Sequence, residues 1–117
     1  MVWKVVYSSQ VVDWLDVAST ETYERTVVAI EYLSQHGPAT QRPLVGIIKG
    51  SRFPNMKELR PVSSGTKAIR LLFAFDPKRK AVLLIAGDKM GRWEKWYQRT
   101  IPEADAFFEA YLRGEDI

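Results

Sequence analysis

The chain has no cysteine and only one histidine, His36. Without cysteine there can be no disulfide and no thiolate metal site, and one imidazole does not fill the usual zinc ligand sets. Two-histidine acid–base catalysis is excluded. A Ser-His-Asp triad would have to recruit His36, which falls in the last turn of a predicted helix and suits the negative end of its dipole. No run approaches the roughly 18 apolar residues of a membrane-spanning helix, and the short apolar stretch in "MVWKVVYSSQ" is not a signal peptide. Phosphate-binding glycine loops, dinucleotide-binding glycine patterns and nucleophile elbows are all missing. These absences lead to the expectation of a soluble, cytoplasmic protein with no cofactor and no resident metal. Its chemistry must come from Arg, Lys, Tyr, Glu and Asp.

What is present suits a single packed domain over residues 1–117, with 46% hydrophobic and 12% aromatic residues. The net charge of +3 conceals a segregation along the chain. Between Arg42 and Arg99 stand fourteen Lys/Arg against four Asp/Glu, whereas the remainder holds three basic and ten acidic residues. Such a basic middle favours an anionic partner, most plausibly nucleic acid, over an evenly solvated surface.

Periodicity outlines the elements. "VWKVVY" (2–7) alternates as a strand. "SSQVVDWLDVAS" puts Val11, Val12, Trp14, Leu15 and Ala18 on one helical stripe, with Ser8 or Ser9 as N-cap. A second helix starts near Thr20, turns Tyr23, Val27, Ile30 and Leu33 or Ser34 inward, and stops at Gly37-Pro38. "ATQRPLVGIIKGSRFPN" reads equally as one helical turn or a ragged strand, because Pro43, Gly46, Gly50 and Pro54 oppose anything long. "MKELRP" is a short strand, "VSSGT" a turn, and "KAIRLLFAF" and "RKAVLLIAG" two strands joined at "DPK". "IPEADAFFEAYLRG" is a closing helix with Pro102 near its start. The order β-α-α-β-β-β-α predicts an α+β fold, with two N-terminal helices on one face of a small, mainly antiparallel sheet. The other face is expected to be open, with Arg70 looking out of it.

These residue types suit RNA cleavage by attack of a ribose 2′-hydroxyl on its own phosphate. Negative charge gathers on the nonbridging oxygens in that transition state, and fixed guanidinium groups stabilise it. Arg60 and Arg70 are therefore candidate phosphate clamps, being too basic to exchange protons. Tyr97, Lys89 and Glu58 are the candidates for proton transfer. Trp93, Trp96 and Tyr97 can stack on unpaired bases. Lys57, Lys78, Arg79, Lys80, Arg92, Lys95 and Arg99 complete the candidate RNA-binding set. Plainer readings stand beside these: Arg60 as a charge at a strand end, Trp93 and Trp96 as core residues, and "DPKRK" as a solvated hairpin tip.

Three stretches, "KGSRFPNMKELRP", "IRLLFAFDPKRKAVLLIAGDK" and "WYQRTIPEAD", resemble the phage-derived HigB-like branch of the RelE/ParE toxin superfamily. The resemblance is most specific over residues 49–105, and the early helices match in pattern only. It implies a RelE-like fold and a type II toxin that cleaves mRNA on the ribosome, held inactive by a helix-turn-helix, HigA-like antitoxin. It also implies that Arg70 meets the scissile phosphate, and that Arg60, Lys89 and Tyr97 stand at further site positions. Several relatives of this kind carry a histidine near the C-terminal site. This chain has none there, which leaves proton transfer to Tyr97, Lys89 or Glu58. Two other readings stay open: a same-fold toxin that poisons gyrase without nuclease chemistry, and a noncatalytic RNA-binding or phage-derived interaction protein.

Overall fold

The computed structural model describes residues 2–62 and 67–117, so the predicted "VSSGT" turn falls largely outside it. The elements are β1 (Lys4–Tyr7), α1 (Ser9–Val17), α2 (Thr20–His36), a 3-10 turn (Gly37–Ala39), β2 (Val45–Ile47), β3 (Lys57–Leu59), β4 (Ile69–Phe75), β5 (Lys80–Asp88) and α3 (Trp93–Leu112). The strands form one sheet in the order β1-β5-β4-β3-β2. β1 pairs with β5 in parallel and the other neighbours are antiparallel, an α+β fold with a mainly antiparallel sheet as expected. Among the described residues no helix is long and apolar enough to cross a membrane.

Local chemistry sets the early boundaries. The Ser8 hydroxyl accepts the Val11 N–H at 3.2 Å and donates to the Leu84 carbonyl at 2.6 Å, so one group starts α1 and ties it to β5. Ser19 caps α2 through the Thr22 N–H at 3.2 Å. Caps of this kind contribute about 1 kcal/mol each.

The sheet is buried on both faces. On one, Val11, Ala29, Ile30 and Leu33 of α1 and α2 pack against Leu59, Leu71, Phe73 and Leu83. On the other, Trp96, Ala104 and Phe108 of α3 pack against Met56, Leu72, Val82, Leu84 and Ile85. The β4–β5 pairing slips between Leu72 and Phe73, whose partners are Ile85 and Leu83, so Leu84 is an extra residue in β5. The bulge lets Leu84 and Ile85 both join the α3-side core, which is why residues 81–86 read as one unbroken apolar run.

Three expectations are corrected. First, the second sheet face is not open, because α3 lies across it. That helix begins at Trp93 rather than at "IPEAD", and Pro102 lies inside it. Its inward stripe, Trp96, Thr100, Ala104 and Phe108, runs straight past the proline at i, i+4 spacing. Second, the ambiguous segment contains a three-residue strand, β2, which adds an edge to the sheet and a fourth strand after the helices. Third, α2 turns Thr22, Thr26, Ala29, Ile30 and Leu33 inward, whereas Tyr23 is exposed. Small threonines let the helix approach the sheet closely, and the tyrosine hydroxyl stays in water.

Candidate functional site

Arg70 enters from β4, opposite Gly87 of β5. Glu58 enters from β3, opposite Leu72 of β4 and Gly46 of β2. Leu72 and Ala74 belong to the α3-side core, so strand alternation puts Arg70 on that same face. Two glycines make room around them. A Cβ on Gly87 would stand 2.7 Å from Trp96 Nε1, and one on Gly46 would stand 2.3 Å from Arg60 Nη2. The bare backbone at these two positions lets an indole and a guanidinium lie directly on the strands. Gly87→Ala is expected to cost about 1–3 kcal/mol by pushing the indole of Trp96 off its seat. A lower denaturation midpoint at unchanged slope checks this.

Glu58 is the hub of the cluster and is 3% exposed. Its Oε2 accepts from Arg60 Nε at 3.0 Å and Nη2 at 2.8 Å, and its Oε1 accepts from the Tyr97 hydroxyl. Arg70 Nε lies 3.8 Å from Oε1, too far for a hydrogen bond. Arg70 is anchored instead through Nη1, which donates to the Ile69 carbonyl at 2.8 Å. Its Nε is buried and has no hydrogen-bond partner among the described residues. One carboxylate thus faces two guanidinium groups and fully occupies only one of them.

Lys89 follows β5 directly. Its ammonium lies 5.4 Å from the centre of the Tyr97 ring and 5.9 Å from that of Trp93. Partial burial lowers its pKa from the ordinary lysine value, with the Arg70 charge adding to the effect. Tyr97 shifts the opposite way. Burial raises its pKa, the hydrogen bond to Glu58 raises it further, and the phenol stays protonated at neutral pH.

All five predicted catalytic positions, Glu58, Arg60, Arg70, Lys89 and Tyr97, therefore converge at one end of the sheet. The predicted RNA-binding set does not gather with them as one surface. Trp93 is 56% exposed beside Lys89, but Trp96 is 7% exposed, with its indole against Gly87. Arg92, Lys95 and Arg99 are exposed around the start of α3. Lys57 precedes Glu58 in the strand and so points to the opposite face, towards α1 and α2. Lys78, Arg79 and Lys80 form the β4–β5 hairpin at the far end of the sheet from Arg70. That hairpin is organised locally. Asp76 accepts the N–H groups of Lys78 and Lys80, both at 2.9 Å, and the guanidinium of Arg79 lies 4.9 Å from the Trp3 ring centre.

Several supporting residues escaped the sequence reading. The Gln10 amide of α1 donates to the Ala86 carbonyl at 2.9 Å and accepts the Ala86 N–H at 2.8 Å. It thereby replaces the neighbour that β5 loses where β1 ends, just before Gly87 and Lys89. Asp105 of α3, 3% exposed, accepts the Ser51 hydroxyl and the Arg52 N–H, the latter at 2.9 Å. Arg52 reaches on to Glu109 at 2.6 Å, so "GSRF" clamps the β2–β3 connection to α3. The strand glycines carried a legible signal, since glycine inside a strand marks a close approach. Gln10 and Asp105 carried none.

Among the described residues no three His, Cys, Asp or Glu side chains are grouped as metal ligands. The Glu58 oxygens are already taken by guanidinium and phenol donors. The cluster suits an anion, with the Arg60 and Arg70 guanidinium groups and the Lys89 ammonium set against one carboxylate.

Comparison with known proteins gives a consistent picture. Residues 13–109 match the family of phage-derived Gp49-like proteins. Over 99 residues the chain is 52% identical to HigB2 of Mycobacterium tuberculosis, named as a candidate toxin. That match covers 85% of this chain and 49% of HigB2, so the chain spans about half the length of that relative. HigB3 of the same organism, also named as a candidate toxin, is 44% identical over 111 residues, covering 95% of each protein. Among solved structures, a free double mutant of the Escherichia coli toxin RelE superposes with a TM-score of 0.63 at 10% identity, covering 87% of this chain and 97% of RelE. A chain of the RelE–RelB complex from Pyrococcus horikoshii superposes with a TM-score of 0.56 at 21% identity, covering 79% and 99%. At those identities the structural likeness shows a RelE fold.

Proposed function

The chain belongs to the phage-derived Gp49-like family, and on that premise we propose that it is the toxin of a HigB/RelE-type toxin–antitoxin pair, cutting mRNA on the ribosome without a metal ion. The observation that carries this reading is the pair of guanidinium groups, Arg60 and Arg70, which line one cavity and share a single carboxylate, Glu58, among the described residues, with Arg70 anchored to the Ile69 carbonyl. Two guanidinium groups balanced by one carboxylate leave net positive charge at that cavity, which an incoming phosphate neutralises.

Within this reading each residue has its own role. Arg70, supported by Arg60, holds the nonbridging oxygens of the scissile phosphate as charge accumulates on them. Both oxygens of Glu58 are engaged, and the Tyr97 proton is directed at Glu58. These two residues therefore orient Arg60 rather than trade protons with substrate. Lys89 has no hydrogen bond or ion pair on its ammonium among the described residues, and its lowered pKa enlarges the fraction of free amine. It takes the proton of the 2′-hydroxyl. The 2′-oxygen then bonds to phosphorus and the bond to the 5′-oxygen breaks as that oxygen takes a proton from water, leaving a cyclic phosphate and a 5′-hydroxyl, and Lys89 returns its proton to solvent. Trp93 offers an exposed ring for stacking. An mRNA substrate places the protein in the cytoplasm, with a helix-turn-helix antitoxin as its neutralising partner.

A gyrase poison needs no such clamp, so one experiment separates the readings. The protein is induced without its neighbouring gene, and new RNA 5′ ends are mapped against reading frames. In-frame cuts within translated messages support ribosome-dependent cleavage, whereas DNA breaks with intact mRNA would shift the reading to gyrase.

The hairpin charges have a smaller, separable effect. Neutralising Lys78, Arg79 and Lys80 is expected to weaken RNA or ribosome binding by degrees and to flatten its dependence on salt. The single-turnover rate at saturation should stay within about twofold of wild type, because the hairpin does not approach Arg70. Binding titrations at two salt concentrations, alongside that rate, check it.

A further inference from the structure

Lys89 stands where β5 ends and the chain turns into α3, and its ammonium reaches over the rings of Tyr97 and Trp93 on that helix. A residue just past a strand has no regular ladder to hold it, so other bonds must set its place. The pairing of β4 with β5 ends at Ile69 and Asp88. Beyond it the Lys89 N–H still donates to the Ala68 carbonyl at 3.1 Å. An antiparallel pair of this kind would return a bond from the Ala68 N–H to the Lys89 carbonyl. Here a side chain takes it instead. Asp88 Oδ1 accepts the Ala68 N–H at 2.9 Å and, with the same oxygen, the Met90 N–H at 3.0 Å. The Lys89 carbonyl accepts the Arg92 N–H at 3.2 Å. That bond closes the turn from Lys89 to Arg92, with Gly91 at its third position and a φ of 78°, which glycine adopts freely. Trp93 opens α3 directly after it.

We propose that Asp88 is the positioning residue for Lys89, fixing its backbone from both sides so that the amine is held against α3 at the site. This rests on reading Lys89 as the base that takes the 2′-hydroxyl proton, and adds the residue that aims it. One carboxylate oxygen grips the chain across the ladder at Ala68 and along it at Met90, with Lys89 between. Asp88 pairs with Ile69, whose side chain belongs to the core under α1 and α2, whereas the Lys89 ammonium lies against α3. Successive side chains of a strand leave it on opposite faces, so Asp88 acts on the Lys89 backbone and not as a counter-charge to its ammonium. The oxygen as an acceptor matters here, and the charge does not.

The test compares Asp88→Ala with Asp88→Asn, which keeps an acceptor oxygen and drops the charge. Both should remain folded in thermal unfolding, because Asp88 is exposed and water can reach the N–H groups it releases. The first readout needs no substrate. The Lys89 side chain lies over two aromatic rings, so its ε-methylene protons should resonate upfield of an ordinary lysine. Asp88→Ala should move them back towards the ordinary position, and Asp88→Asn should not. The second readout is the single-turnover cleavage rate at saturating ribosome. Asp88→Ala should lose roughly tenfold to a hundredfold, as a reacting group displaced by about 1 Å does, and Asp88→Asn less than about threefold. In a Lys89→Met background Asp88→Ala should lose nothing more, since no amine is left to aim. Lys89 protons that keep their shift in Asp88→Ala overturn the proposal whatever the rate does. An Asp88→Asn protein that fails like Asp88→Ala makes charge the cause and overturns it too. So does a full further loss in the Lys89→Met background, which makes Asp88 a general support of the fold. A Lys89→Met protein that cleaves at the wild-type rate removes the base reading and the role of Asp88 with it. Unmoved Lys89 protons beside an inactive Lys89→Met protein remove the role of Asp88 alone.

Discussion

Replacing Arg70 with alanine is expected to lower the single-turnover rate of RNA cleavage by about 10²–10³-fold while leaving the protein folded. The two halves of that result have different causes. The rate falls because a donor preorganised for the transition state is lost, and water entering the vacancy must reorganise as charge develops. The fold survives because Glu58, the buried carboxylate beside Arg70, keeps its hydrogen bonds to Arg60 and Tyr97. No uncompensated buried charge is created, and that is the usual reason for a large loss of stability at an ion pair. Lysine should restore little. The Arg70 plane is set by the bond from Nη1 to the Ile69 carbonyl, which leaves its other N–H groups to face the phosphate. An ammonium cannot both hold that carbonyl and present a fork. Cleavage at saturating ribosome, measured beside thermal unfolding of each variant, is the check. A folded Arg70→Ala protein that cleaves at the wild-type rate reduces Arg70 to a structural cation.

The residues that the sequence placed correctly are those whose surroundings are local. Arg70 interrupts an alternating strand and must face away from Ile69 and Leu71, which needs no knowledge of the rest of the chain. Ser8 and Gly37 bound helices by rules that act within four residues. Lys57 shows the cost of reading charge without phase. It is adjacent to Glu58 in sequence and on the other side of the sheet. The covered face was missed for a related reason. Pro102 is a strong local stop signal, yet the stripe from Trp96 to Phe108 gains more from burial against Leu72 and Leu84 than the proline costs, so tertiary packing overrides it. Trp96 is then drawn into the core by Gly87, a partner nine residues away that no helical period reveals. Gln10 is the extreme case. Its amide completes a strand edge 76 residues distant, and it matters because β1 ends opposite Leu83, before the ladder reaches Ala86.

Lys89 is expected to show the second large effect, and its variants distinguish a proton carrier from a fixed charge. Lys89→Met should lose on the order of 10²–10⁴ in rate, the range of a positioned acid or base. Lys89→Arg should lose nearly as much, since a guanidinium keeps the charge but does not give up a proton. The dependence on pH supplies the sharper readout. Burial and the Arg70 charge hold the Lys89 pKa below the ordinary 10.5, so the free amine becomes abundant at lower pH than for a surface lysine. The wild-type rate should therefore climb about tenfold per pH unit on the acid side of that pKa and level off above it, and neither variant should show that limb. Stability carries the same signature with a definite sign. Between the folded and unfolded pKa values the unfolded chain binds more protons, so wild-type stability rises with pH across that window and Lys89→Met removes the rise. An arginine variant that keeps both the rate and the alkaline limb would show that Lys89 acts by charge alone. Proton removal from the 2′-hydroxyl would then fall to Glu58, which must first give up its bond from Tyr97.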